Sequence, residues 1–434
     1  MIEYEGLFKD DVVIDVNDDM RMKWIDKNTL VLFGCVESLI IADRFNPDIS
    51  SLILNNSLIS LKQIEVGNDC FANVNRFVID GLNELDRIII GQNSMKLEKV
   101  KNKGSSCLIM NCDQLRQIYI GCNSLYWYES FELKNLPSLI SIQFNKYTFM
   151  NCHTIEFYNL TRLQSIILGY DALAGDLCTA QSNSWIMKNL PSLSLIRGYG
   201  ENLKYIAKVK LENISSLSQD GIMMDTTFSE VKELVCSNAD SLEYYITVNS
   251  HVYPSDHLLS LHPSVFWILR SAQMEQISSS VESIVIQSDV GNSTPSFNLS
   301  NLPSLITVVI GNDAFKQCRS IVFENLTQLQ SIIIGSHTFQ GINYQPIVYS
   351  VKKENELIMR NLPALTLFKG KGNFLNIGKV TIENIPSLTS QGIIMEEYVS
   401  GTNRFTAFSD VKELVCSNSA LDRCIQQNSR YLQR

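Results

Sequence analysis

The segment FENLTQLQSIIIGSHTF, residues 323–339, recurs with ten of its seventeen letters unchanged as FYNLTRLQSIILGYDAL at residues 157–173. Two near-copies 166 residues apart (323 − 157) mark an internal repeat, whose period has to be found before any other feature is read. The asparagine third in each copy supplies the ruler. Asn325 stands ten residues before Gly335, as Asn301 does before Gly311, Asn159 before Gly169 and Asn111 before Gly121. Followed along the chain, the slot holds Gly81, Asn111, Asn135, Asn159, Asn189 and Asn213, then Asn301, Asn325, Asn361 and Asn384. The steps are 30, 24, 24, 30 and 24, and in the second series 24, 36 and 23. A unit of 24 residues, lengthened in places by six or twelve, sets the architecture.

Each unit holds two short apolar alternations, such as Ile321 and Phe323 before the asparagine and Leu329, Ile332 and Ile334 after it. Alternation of period 2 is the pattern of half-buried strands. A unit therefore turns back on itself, and it has too little apolar face to bury alone. Copies must stack, strand over strand at ~4.8 Å, to share a core. The expected fold is a repeat solenoid, mostly β, with two short strands per coil in parallel stacked sheets and few helices.

The fixed letters are read as corners. Gly at 67, 91, 121, 169, 311 and 335 ends a strand where a positive φ or a close backbone approach is needed. Pro137, Pro191, Pro303, Pro363 and Pro386 set the turn after the Asn-Leu or Asn-Ile pair. The asparagine side chains are expected to bond backbone groups at that corner and, stacked, to form a ladder of amides. After each glycine a small residue precedes a Phe, Leu or Met, as in IGNDAFKQC at 310–318 and IGSHTF at 334–339, which plugs the coil's end.

The string I-G-x-x-A-F-x-x-C with its following apolar alternation resembles the BspA-type leucine-rich repeat family, and the Asn/Leu corner is similar to leucine-rich repeats generally. The resemblance covers roughly residues 36–418. It implies a leucine-rich-repeat solenoid and a role in cell-surface display and adhesion to host or matrix proteins. The chain departs from the pattern in its six- to twelve-residue insertions and in lacking the usual Ile-Pro after the first strand.

A larger block is also duplicated: residues 133–236 and 299–416 share NLPSL, LQSII, GYG or GKG, LENI or IENI, and FSEVKELVCSN against FSDVKELVCSN. The expected organisation is an N-terminal cap over 1–34, a first array over 35–238, a partly helical joint over 239–280, a second array over 281–418 and a C-terminal cap or tail over 419–434. Within the joint, residues 264–277 read as a helix, with Pro263 at its start and Phe266, Ile268 or Leu269, and Met274 on one face.

Composition narrows the function. Thirty-six basic against 45 acidic residues leave a formal charge of −9, so no global positive field gathers phosphates and nucleic acid is not an expected partner. No run of about eighteen apolar residues crosses a bilayer. The acidic start lacks the pattern of an export signal, and eleven cysteines, an odd number, read as reduced thiols. Together these favour a cytoplasmic location, with the cell surface as the alternative. No Gly-x-Ser-x-Gly, His-Glu-x-x-His or P-loop string occurs, so no catalytic residue is assigned and no cofactor is expected. His153 and His337 occupy corner slots. His251, His257 and His262, near Asp256, follow no zinc-ligand spacing; a metal-dependent enzyme using them is the remote alternative. Cys152 and Cys318 share one slot and Cys236 and Cys416 another, as small buried hydrophobes.

A protein ligand is the expected partner, and insertions at 92–110, 170–188 and 336–360 are where it would bind, because all emerge after the Gly-ended strand, on one edge. The first carries Lys96, Lys99, Lys101 and Lys103 within eight residues, a contact for an acidic partner or a solvated loop. Tyr126, Trp127 and Tyr128 crowd a corner where other coils carry one plug residue, which leaves a ring to spare as an anchor.

Overall fold

The computed structural model describes residues 14–15, 21–26, 29–33, 37–224, 227–342, 355–400 and 403–432. Most of the segment read as an N-terminal cap lies outside the described residues. The chain divides into two compact units, Met1–Ile246 and Thr247–Arg434.

In the first unit each coil gives one strand to a nine-stranded sheet and one to a ten-stranded sheet. Ser130–Lys134 lies parallel between Ser106–Met110 and Thr154–Tyr158, with Phe131 opposite Cys107 and Ile155. Ser141–Phe144 lies likewise between Gln117–Ile120 and Ser165–Leu168. Phe131, Leu133, Ile142 and Phe144 point inward and are wholly buried. Antiparallel pairs occur at the start, Ile14–Asp15 on Ser38–Ile41 and Arg21–Asp26 on Thr29–Phe33.

The second unit repeats the scheme with a six-stranded and a five-stranded sheet. The segment that set the period supplies Ser320–Glu324 to one and Ser331–Ile334 to the other. Four plug phenylalanines stack down its core: Phe315 on Phe339 at 5.5 Å, Phe339 on Phe374 at 5.8 Å and Phe374 on Phe408 at 5.0 Å, with planes within 18° of parallel. The chain is a parallel-strand repeat solenoid with few helices, as its alternation predicts.

The asparagine slots turn out to be equivalent bends. Asn159 and Asn325 both follow a five-residue strand and both hold φ at 55°, in the left-handed region that asparagine tolerates better than other residues with a side chain. The next residues close a tight turn; Leu139 N donates to Leu136 O at 3.2 Å, which puts Pro137 at the turn position its fixed φ suits. The amides do form a ladder, but they bond one another rather than the backbone. Asn135 donates to Asn111 at 2.9 Å, Asn159 to Asn135 at 3.0 Å, Asn189 to Asn159 at 2.9 Å and Asn213 to Asn189 at 2.8 Å. Asn238 extends it, and at the other end, where the slot holds Gly81, Asn111 donates to the Asp80 carboxylate at 2.8 Å. In the second unit Asn325 donates to Asn301, Asn361 to Asn325 and Asn384 to Asn361, at 2.9 to 3.0 Å.

The strand-ending glycines serve close approach and not a positive φ. A Cβ on Gly91 would lie 2.6 Å from the Gly67 carbonyl, because consecutive coils touch there through bare backbone. The positive φ falls instead on the second and fourth residues beyond, such as Asn123 at 57° and Leu125 at 51°. The small residue between them has a partner: the hydroxyls of Ser94, Ser124 and Thr148 donate to Gly67, Gly91 and Gly121 carbonyls of preceding coils at 2.6 to 2.9 Å.

Residues 264–277 are not a helix. Val265–Ile268 is a strand, paired parallel with Ser283–Ile286 at the edge of the six-stranded sheet, followed by a 3-10 turn over Ser271–Gln276. Valine, phenylalanine, tryptophan and isoleucine in sequence suit a pleated surface, and an open strand edge offers them pairing that an isolated helix does not. The helices of this region lie earlier, at Asp240–Asn249 and Asp256–Leu261. The duplicated KELVCSN motif ends a sheet in each unit and leads at once into a helix, Asp240–Asn249 or Ser419–Asn428, which buries Leu242, Ile246 and Val248 in the first case and Leu421 and Ile425 in the second.

Asn159→Ala removes two amide bonds and puts a poor residue at φ 55°, so a loss of about 2 kcal/mol is expected, whereas Asn159→Gly keeps the bend and loses about 1 kcal/mol. Denaturant melts of both variants check the order; equal losses would show that the backbone bend is not what the asparagine supplies.

Candidate functional site

The edge of the first unit is built by its two long insertions. In the first, a 3-10 turn over Lys99–Lys101 lifts the loop off the coil, and its return is tied down where Gly104 N donates to Glu129 Oε2 at 2.7 Å and Ser105 Oγ to Trp127 O at 3.3 Å. The lysines then fall against the aromatic corner one coil on. Lys96 Nζ lies 5.7 Å over the Tyr126 ring and Lys99 Nζ 5.4 Å over Trp127. The two rings meet edge to face at 5.3 Å and both stay half-buried. Such contacts contribute about 0.5–1 kcal/mol at exposed sites and mainly fix where the ammonium points.

Tyr128 does not belong to this surface. It is wholly buried, its ring against Phe149 at 6.3 Å and its hydroxyl donating to Val74 O at 2.5 Å, so two of the three rings, Tyr126 and Trp127, stay at the surface. Lys101 reaches Asn73 Oδ1 at 3.3 Å and Glu98 at 3.6 Å, and Lys103 stands exposed.

The second insertion arrives at the same place. Its 3-10 turn, Leu177–Thr179, is capped by Asp176, which accepts from Cys178 N at 3.0 Å. Lys99 Nζ stands 3.9 Å from Cys178 Sγ, although 79 residues separate them in the chain. Each insertion also projects an aliphatic residue, Val100 at 85% exposure and Leu177 at 64%. Neither was singled out in the sequence, where a lone valine and leucine in polar loops carry no signal. Further along, Lys146 lies over both Tyr147, at 4.6 Å, and Tyr170, at 5.4 Å, and repeats the pairing of cation with ring. Of the third insertion, residues 343–354 lie outside the described residues.

Charge distinguishes this edge from the rest of the unit. On the strand faces three lysines are matched to carboxylates, Lys134 to Glu132 and Glu156 at 2.5 and 3.0 Å, Lys188 to Glu212 at 3.6 Å and Lys208 to Glu233 at 3.1 Å, and Lys210 is the exception among the described residues. Lys96, Lys99 and Lys103 have no carboxylate within 4 Å among the described residues.

No comparable convergence of catalytic groups is found among the described residues. His153 pairs with Asp176 at 3.3 Å and His251 with Asp289 at 3.5 Å, and no group of three metal-ligating side chains occurs among the described residues. In the second unit burial opposes ionisation of Asp313, yet bonds from His337 at 3.4 Å and Lys316 at 2.6 Å outweigh it and hold the carboxyl below the ordinary carboxylate range. An open hollow of about 760 Å³ beside the last coil is lined by Asn384, Ile385, Leu388, Asn418 and Arg423. Its central amide is used already: Asn418 donates to Ile385 and Leu388 carbonyls and caps the helix behind it.

The cysteines divide by exposure. Burial raises the Cys107 and Cys152 thiols far above their ordinary value, Cys112 to about 12 and Cys318 to about 11, so they are held protonated. Cys178 is the exposed one among those described.

The fold is a parallel-strand repeat solenoid, and the first unit carries an insertion-built edge. No protein-family model and no curated protein matches the chain. Among solved structures, the crystal structure of the pneumococcal vaccine antigen PcpA aligns over 97% of this chain and 97% of that chain, at 13% identity and a TM-score of 0.25. At that score the two do not superpose as wholes, and the fold rests on this chain's own strand pairing.

Brief alkylation of the native chain near pH ~8, followed by peptide mapping, should modify Cys178 at least about tenfold faster than Cys107, Cys112, Cys152 or Cys318. Equal rates at all five would show that the other four thiols are not enclosed by the stacked coils.

Proposed function

We propose that this chain is a non-enzymatic protein-binding scaffold, and that its recognition surface is the edge on which the two insertions of the first unit meet. The observation that carries the reading is the approach of Lys99 to Cys178 beside the half-buried Tyr126 and Trp127. Rigid coils fix the place, and loops free of repeat slots supply the variable chemistry, the usual division of labour in repeat proteins. The edge offers ammonium groups, aromatic rings and aliphatic tips but no nucleophile held by a base, which suits holding a protein more than transforming a small molecule.

A second reading, a surface adhesin of BspA type, is favoured by the recurring I-G-x-x-A-F-x-x-C string. The two readings differ in location. Protease applied to intact cells removes an adhesin and spares an internal scaffold.

Shortening the 92–110 insertion by six residues, to the 24-residue spacing of its neighbours, leaves the corners intact. Such a variant should melt within about 1 kcal/mol of the parent and lose the protein captured by cross-linking in a native lysate. Retention of that protein after both insertions are shortened would move the site to the strand faces.

A further inference from the structure

The edge is specific enough in its chemistry to indicate what it holds. Resting on the scaffold reading above, we propose that the first unit binds an acidic polypeptide segment carrying aliphatic side chains, through Lys96, Lys99 and Lys103 together with Val100 and Leu177.

Charge complementarity is the first argument. The chain as a whole carries −9, yet residues 92–110 hold four lysines and one glutamate, a local excess of three positive charges (4 − 1). Elsewhere in the unit Lys62, Lys134, Lys188, Lys204 and Lys208 are matched to neighbouring carboxylates at 2.5 to 3.6 Å. The three edge lysines lack such a partner among the described residues, and two are propped on aromatic faces that fix their direction without neutralising them. Ammonium groups held in place by rings lose less conformational freedom on meeting a carboxylate than free lysines do. An acidic protein also repels acidic partners over most of its surface, so complementarity confined to one edge directs the approach.

The aliphatic tips make the second argument. Val100 and Leu177, from separate insertions, are 85% and 64% exposed on either side of the Lys99 to Cys178 contact. Exposed aliphatic groups flanked by cations do little for a sulfated polysaccharide or a nucleic acid, which offer charge and hydroxyls or bases at fixed spacing. A polypeptide alone carries carboxylates and branched apolar side chains together on one flexible strand. The half-buried Tyr126 and Trp127 add rigid area of the kind that anchors peptides.

The test is selection of random twelve-residue peptides on the intact full-length chain, then affinities of the recovered peptides by fluorescence anisotropy. Recovered sequences should be rich in Asp and Glu with at least one Leu, Ile or Val. Their affinity should fall about tenfold or more in the triple variant K96A/K99A/K103A, and severalfold in V100S/L177S. Raising salt should weaken binding to the parent more than to the triple variant. Circular dichroism melts confirm that each variant is folded; if the triple variant is not, K99A and K103A singly replace it. Acid-poor peptides that bind all variants equally would overturn the proposal and leave the scaffold reading standing, with its site elsewhere. Recovery of no peptide at all would count against both. A heparin fragment or a single-stranded oligonucleotide that binds at least as tightly, unaffected by V100S/L177S, would overturn it in favour of a general polyanion patch.

Discussion

Everything in this fold depends on coils lying parallel and in register, so that each completes the interior of the next. The coil over residues 130–153 offers eight inward apolar side chains, Phe131, Leu133, Ile142 and Phe144 among them, and leaves both rims of its core open. Its neighbours close those rims at the spacing of backbone hydrogen bonds. Register is then fixed twice over. At one corner the asparagine amides bond from coil to coil in a single direction, and at the other the hydroxyls of Ser94, Ser124 and Thr148 bond back to glycine carbonyls. A slip of one residue would break both ladders and turn the phenylalanines outward.

This constraint explains which parts could be read from letters alone. The period, the paired strands and the equivalence of Asn159 and Asn325 were legible because each is imposed anew in every coil, so repetition separates it from chance. Roles that depend on what lies across the coil were not. The glycines could have served a positive φ or a close approach, and only the position of the preceding coil, 2.6 Å from a Cβ on Gly91, decides it. The asparagine amides had a plausible backbone target, and a closer one in the neighbouring amide. Residues 264–277 satisfied a helical spacing and an alternating one together, a tie that the strand edge of Ser283–Ile286 breaks.

The candidate site was legible in half. Insertions interrupt the period and so announce themselves, and Lys96, Lys99, Tyr126 and Trp127 were visible as departures from what other coils carry. Tyr128 shows the limit of that method, since an extra ring beside a repeat slot fills the core as readily as it faces solvent. The meeting of Lys99 with Cys178 had no signal in the sequence, because the number of residues between two insertions does not say that their tips lean together.

Composition conceals the charge pattern for the same reason. In a parallel stack, identical slots lie one above another, so Glu132 and Glu156 face each other across adjacent strands and would repel if left alone. Lys134 lies between them at 2.5 and 3.0 Å and removes the conflict. Lys134, Lys188 and Lys208 are thus committed by the geometry of the repeat to neutralising carboxylates of their own chain. Insertions have no stacked counterpart, and lysines placed on them face no column of acids. An acidic solenoid can therefore keep a basic edge with few residues, provided they sit where the period is broken, and in this chain Lys96, Lys99 and Lys103 do.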